Sequence, residues 1–178
     1  MRTTTQPQMI VCERTCGGEY ENFITPEKTV SDTALNVPWE TCTMVGDKFS
    51  FHYTDNFKSG HQLVHLLMDV VSKGGNLALN LAPQPDGMLP APAVRSLRDL
   101  GACLKVFGDG IYNTHICAPY FEDRLFYTRK ENKIFAFYLY DEIPHLPAKL
   151  TLDLDEDMPT GGAFYAECFV LETESGDN

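Results

Sequence analysis

Glu13 and Arg14 stand directly after the apolar run Met9-Ile10-Val11-Cys12. A charged pair at the tip of a short strand is the kind of place where α/β barrels keep their chemistry, because their reactive groups cluster at C-terminal strand ends. The Glu13 carboxylate could attack as a nucleophile, accept a proton as a base, or hold Arg14 in a structural ion pair. Four more acids, Asp47, Asp55, Asp86 and Asp109, fall in stretches that read as loops. Two such acids facing one pocket would suit glycoside hydrolysis, one attacking and one protonating the leaving oxygen. Taken singly, each reads first as a turn or capping residue, and Asp86-Gly87 and Asp109-Gly110 are turn signatures.

His52, His61 and His65 raise a metal reading, since His61 and His65 are spaced i, i+4. They lack the intervening acid of the zinc motif HExxH, and they flank the stripe Leu63, Leu66, Leu67, so a solvated helix face is the simpler expectation. Trp39, the single tryptophan, stands beside Glu40 in VPWET. It could be a flat platform for a sugar ring or a core residue. Six cysteines are scattered without a CxxC pair, and free thiols at buried positions are expected. No Gly-rich phosphate loop and no GxSxG is present, so nucleotide chemistry has no support and no cofactor or metal is implied.

The elements that must carry these residues follow from local pattern. Gln8–Cys12 reads as a short buried strand, residues 16–38 as a long loop, and Trp39–Met44 as a second strand. Lys58–Asn76 is an amphipathic helix: Ser59 and Gln62 form a capping box, Leu63, Leu66, Leu67, Val70 and Val71 recur at helical spacing, and Gly74-Gly75 can end it. Asn76–Leu81 is a strand, and Pro90–Phe107 a second helix with the stripe Val94, Leu97, Leu100, Leu104. Strand, helix, strand, helix is the alternation of a parallel α/β layout. After about residue 111 the texture becomes aromatic and alternating. A hairpin is expected from Arg124–Thr128 and Lys133–Tyr140, with further strands at Ala148–Leu154 and Ala163–Leu171, together a small antiparallel β-sandwich.

The chain has 178 residues, 43% apolar and 22% charged, with a formal net charge of −11. Such a polyanion repels nucleic acid and anionic membranes, and no apolar run approaches the roughly 18 residues of a membrane span. MRTTTQPQ has no apolar core and does not read as a signal peptide; the compartment stays open. A neutral ligand such as a sugar is compatible with the charge.

The runs IVCERT, GEYENFITPE, PWETC, DVVSKGGNLALNLAPQPDGMLP and LGACLKVFGDGIYNT, in this order over residues 6–115, resemble the second half of the catalytic barrel of the α-L-fucosidases, glycoside hydrolase family 29. The part after residue 120 resembles a shortened C-terminal β-sandwich of that family. The resemblance implies a partial TIM-type (β/α) barrel over 1–116, a truncated antiparallel β-sandwich over 117–178, and hydrolysis of terminal α-L-fucose by retaining double displacement. It places Glu13 at the position of the nucleophile, where runs like "IVxDR" carry aspartate. Glutamate reaches about 1.5 Å further, and a misplacement of about 1 Å can cost on the order of 100-fold in rate. The acid/base would lie in the loop between PWETC and the next helix, where Asp47 and Asp55 are available and Asp55 is the choice. Trp39 and Glu40 match the family's PWE and are expected near the substrate. The family's histidines come from the other half of the barrel, so His52, His61 and His65 inherit no role. The expected partner is a fucosylated glycan. The chain is expected to be a fragment that self-associates through exposed barrel edges, or else a catalytically inactive glycan- or partner-binding remnant.

Overall fold

A computed structural model describes residues 5–14, 18–19 and 21–140. Two layers meet in it. The first is parallel α/β: strand β1 (Trp39–Met44), helix α1 (Gly60–Ser72), strand β2 (Gly75–Asn80) and helix α2 (Ala91–Phe107). The second is an antiparallel sheet of β3 (His115–Glu122), β4 (Leu125–Lys130) and β5 (Lys133–Tyr138), in that order.

β1 and β2 pair in parallel from Trp39↔Gly75 to Met44↔Asn80. Partnered residues point to the same side of a sheet. Trp39, Thr41 and Thr43 therefore share a face with Gly75, Leu77 and Leu79. This is the face covered by the helices: Leu79 packs against a core of Val45, Leu63, Ala93 and Leu100. Glu40, Cys42 and Met44 share the opposite face with Asn76, Ala78 and Asn80.

α1 forms where its sequence signals place it. Ser59 Oγ accepts the Gln62 N–H at 3.2 Å and Gln62 Oε1 accepts the Ser59 N–H at 2.9 Å, closing the capping box. Lys73 caps the far end, and Gly74 follows at φ +78°, a left-handed conformation that glycine adopts without strain. The helix stops at Ser72 rather than continuing to residue 76, because Gly75 already begins β2. α2 runs beside α1 with Ala93, Ser96, Leu100 and Cys103 buried, so its seam lies slightly off the leucine stripe.

The N-terminal expectations need correction. Gln8–Cys12 is not a buried strand. Only Cys12 makes a bridge, parallel to Phe23, and Ile10 is 71% exposed. An unbroken apolar run is a buried strand only where both faces are covered, and no layer covers Ile10 among the described residues. The stretch taken as a long loop instead contains an extended segment, residues 22–28, wedged between Cys12 and β1 by the parallel bridges Cys12↔Phe23, Ile24↔Trp39 and Glu27↔Cys42.

The expected hairpin is present as β4–β5, joined by Glu131-Asn132 with Glu131 at φ 53°. β3 was not foreseen. Its pairing with β4 is interrupted between Ile116 and Phe121, around Pro119, which hides it from an alternation rule. Met68 of α1, Ile111 and Leu139 form a second core joined by Val71, Leu104, Phe126 and Phe137, so the antiparallel sheet packs directly on the helical layer. The strands expected at 148–154 and 163–171 lie outside the described residues. Cys42 and Cys103 are free thiols; burial pushes the Cys103 thiol above its ordinary value. Among the described residues no helix is long and apolar enough to cross a membrane.

Candidate functional site

Glu13 is held by Thr25. Its backbone N–H donates to Phe23 O at 3.2 Å, and its Oε1 accepts the Thr25 N–H at 2.6 Å and faces the Thr25 hydroxyl at 3.5 Å. Arg14 grips the same residue from the other side. Its Nε donates to Thr25 Oγ1 at 2.8 Å and a terminal nitrogen to Thr25 O at 2.9 Å. The other terminal nitrogen pairs with Glu27 Oε2 at 3.1 Å. Thr25 and Glu27 are thus part of the knot around the two residues the sequence singled out. Sequence alone hides them, because ENFITPE reads as loop. The signal was there in Phe23-Ile24-Thr25, an aromatic and two β-branched residues in succession.

Trp39 does not present a ring to solvent. It is 1% exposed, its indole N–H donates to Lys73 O at 3.1 Å, and its six-membered ring lies over Gly75. A Cβ on Gly75 would stand 2.4 Å from Trp39 Cζ2, so only glycine lets β1 and β2 close here. Trp39 is a plate at the base of the sheet. Glu40, half-buried, points to the opposite face, and its N–H donates to Ile24 O at 3.0 Å. Glu27, level with Cys42, lies on that same face.

Asp55 sits at the other end of β1. The chain leaves Met44, forms a loop, and returns at Phe57, where Gly46 and Phe57 bridge antiparallel. Lys58 ties the neck: its N–H donates to Val45 O at 2.8 Å and its Nζ to Met44 O at 2.9 Å. Inside the loop Asp55 Oδ1 accepts the Asp47 N–H at 3.0 Å. Gly46 leaves room for that carboxylate, since a Cβ there would fall 2.2 Å from Asp55 Oδ2. Asp55 lines a cleft with Lys48, Phe51 and His52 from the loop and Leu81, Ala82 and Pro90 beyond β2.

The structure therefore does not bring Glu13 and Asp55 to one cleft. The ladder sets Glu13 beside Ile24 and Trp39, at the start of β1, whereas Asp55 lies past its end. At about 3.3 Å per residue the two are on the order of 20 Å apart along the strand direction.

His61 and His65 are not on a solvated face. Both are half-buried, with ring centroids 4.2 Å apart, and a ring nitrogen of His61 contacts the backbone carbonyl of Tyr140. The ring of Tyr140, just past β5, lies 5.9 Å from that of His61. Among the described residues no group of three or more potential metal ligands occurs.

The profile described as Alpha-L-fucosidase matches residues 1–109. The chain belongs to the alpha-L-fucosidase family. The plasma alpha-L-fucosidase of Rattus norvegicus is 42% identical over 82 residues, which cover 43% of this chain and 18% of the rat protein. Among solved structures, alpha-L-fucosidase isoenzyme 1 from Paenibacillus thiaminolyticus superposes with a TM-score of 0.71 at 28% identity, covering 80% of this chain and 37% of that one. The Thermotoga maritima alpha-fucosidase in complex with fucose gives 0.61 at 33% identity, covering 75% and 31%. The chain thus spans well under half the length of these fucosidases.

Proposed function

We propose that this chain is part of a retaining α-L-fucosidase that releases terminal α-L-fucose from glycans, and that residues 1–116 are the second half of its TIM-type (β/α) barrel, followed by a truncated β-sandwich over 117–178. The observation that carries this reading is the family match over residues 1–109. It is supported by the parallel alignment of residues 11–13, residues 22–28, β1 and β2, with α1 and α2 on one face only. In a closed barrel the opposite face, with Glu27, Glu40 and Asn76, would line the interior. That a related enzyme is known in complex with fucose supports a fucosylated glycan as the substrate here.

In this reading Glu13 stands at the nucleophile position, Asp55 protonates the leaving oxygen and then activates water, Glu40 lines the substrate region, and Trp39 supports it from beneath. Retaining enzymes place their two carboxyl groups about 5–5.5 Å apart. Glu13 and Asp55 are much further apart in this chain, and one oxygen of Glu13 is taken up by Thr25. That favours an incomplete catalytic unit, which reaches working geometry only with the rest of a barrel in place. The same separation favours the second reading, a catalytically inactive remnant that binds a glycan or a partner.

Hydrolysis of a chromogenic α-L-fucoside by the purified chain, beside Glu13→Ala, tests both. Release that is lost in Glu13→Ala makes Glu13 a working nucleophile and the chain self-sufficient. Release that survives Glu13→Ala removes Glu13 from the mechanism. With no release from either, adding a polypeptide that supplies the first half of a family barrel separates a complementable fragment from a remnant.

A further inference from the structure

We infer that the polypeptide closing this barrel brings an inward-facing arginine or lysine to Glu40, on a strand that joins the free edge of β2. This rests on the half-barrel reading above and gives the missing wall a charge. The bridges Ile24↔Trp39 and Glu27↔Cys42, with the pairing Glu40↔Asn76, set Thr25, Glu40 and Asn76 level with one another across three parallel segments. Partnered residues of parallel strands share a face, and this face is turned away from α1 and α2. Glu27 follows two residues further along it. Arg14 reaches both Thr25 O and Glu27.

The charges there do not cancel. Arg14 and Glu27 neutralise each other at 3.1 Å. Glu40 is half-buried, and its carboxylate makes no hydrogen bond or ion pair among the described residues. Asn76, beside it on β2, already donates to Trp39 O at 3.4 Å. The cations of neighbouring segments are engaged elsewhere. Lys28 Nζ lies 4.5 Å from the Phe49 ring centroid, Lys58 Nζ donates to Met44 O at 2.9 Å, and Lys73 Nζ is bound to Asp69 at 2.6 Å. In the open chain, water can solvate Glu40. A closed barrel is filled with side chains, and a carboxylate left there without a partner is costly. A buried charge is held when an opposite charge and its hydrogen bonds meet it. Asn76 is exposed and short, and among the described residues no strand pairs with β2 beyond it. A strand joining that edge would stand two strand spacings from Glu40, about 10 Å. An extended arginine or lysine side chain reaching over Asn76 spans that gap to the glutamate.

Binding to the first barrel halves of the Paenibacillus thiaminolyticus and Thermotoga maritima fucosidases tests this, by interferometry on the immobilised full chain. Each half is used once it has been shown to rejoin the remainder of its own enzyme. The wild type is expected to bind at least one half. Glu40→Gln should weaken that binding about tenfold or more, because it leaves the incoming cation buried and unpaired. Glu40→Asp should lose less, and Glu40→Lys should abolish binding. Since Glu40 has no partner in the isolated chain, Glu40→Gln should keep the wild-type urea midpoint, which separates a lost ion pair from a lost fold. Equal affinity of the wild type and Glu40→Gln for a half that binds overturns the cation and leaves the half-barrel reading in place. A wild type that binds neither half counts against the half-barrel reading itself and takes the inference with it.

Discussion

Glu13 and Trp39 drew notice for the same reason, a reactive or flat side chain at a strand end, and their surroundings separate them. Glu13 sits in a polar knot with Arg14, Thr25 and Glu27; Trp39 is buried over Gly75 with one hydrogen bond to Lys73 O. Trp39→Phe removes that donor and leaves a buried carbonyl unpaired, a loss of about 1–3 kcal/mol that should appear as a lower urea midpoint by circular dichroism. The exposed pair Asp109–Lys130 acts through charge instead, at 2.7 Å. The hydrogen bond from Lys130, and then its charge, hold the Asp109 carboxyl below its ordinary value. A depressed carboxyl contributes stability above its unfolded pKa of about 3.9, and that contribution fades as pH falls through the lower folded value. Lys130→Met should therefore lower the thermal midpoint slightly at pH 6, and the difference from wild type should vanish as pH drops below the carboxylate range.

At the scale of elements, two helix glycines, Gly60 at the first position of α1 and Gly101 inside α2, should respond with opposite signs to the same change. Alanine normally gains about 0.5–1 kcal/mol over glycine in a helix. Gly101 in α2 has open space around it, so Gly101→Ala should raise the urea midpoint. At Gly60 a Cβ would fall 2.3 Å from Cβ of Asp99, where α1 passes close to α2. Gly60→Ala should lower the midpoint by about 1–3 kcal/mol of stability, since the helices must part. α1, α2, β1, β2 and the β4–β5 hairpin were legible because their signals are local: a capping box, a leucine period, a glycine stop, the polar turn RKEN. The 22–28 segment and β3 were not, because each is defined by a neighbour distant in sequence and contains a proline, Pro26 or Pro119. The candidate site was legible in its residue types and not in its spacing. Nothing local tells that Thr25 reaches Glu13, or that the length of β1 stands between Glu13 and Asp55.

For the whole molecule, the decisive feature is a sheet with helices on one side. Among the described residues no strand pairs with the outer edge of β2, and Glu40 and Cys42, on the face away from the helices, are only half-buried. Unpaired edges recruit other strands. The isolated chain should therefore run as an oligomer or a broad distribution in light scattering at micromolar concentration; a monodisperse monomer that melts in one cooperative step would refute the half-barrel reading. The single tryptophan lends such studies a built-in observer. Trp39 touches the end of α1, the start of β2 and, through Lys73, the neighbourhood of Phe121 in β3. All indole emission thus arises from one point beside the junction of the two layers, whose main contact is the core of Met68, Ile111 and Leu139. A blue-shifted native spectrum that moves red in a single transition would mean that the parallel and antiparallel parts come apart together, and an early red shift would mean that the seam between them opens first.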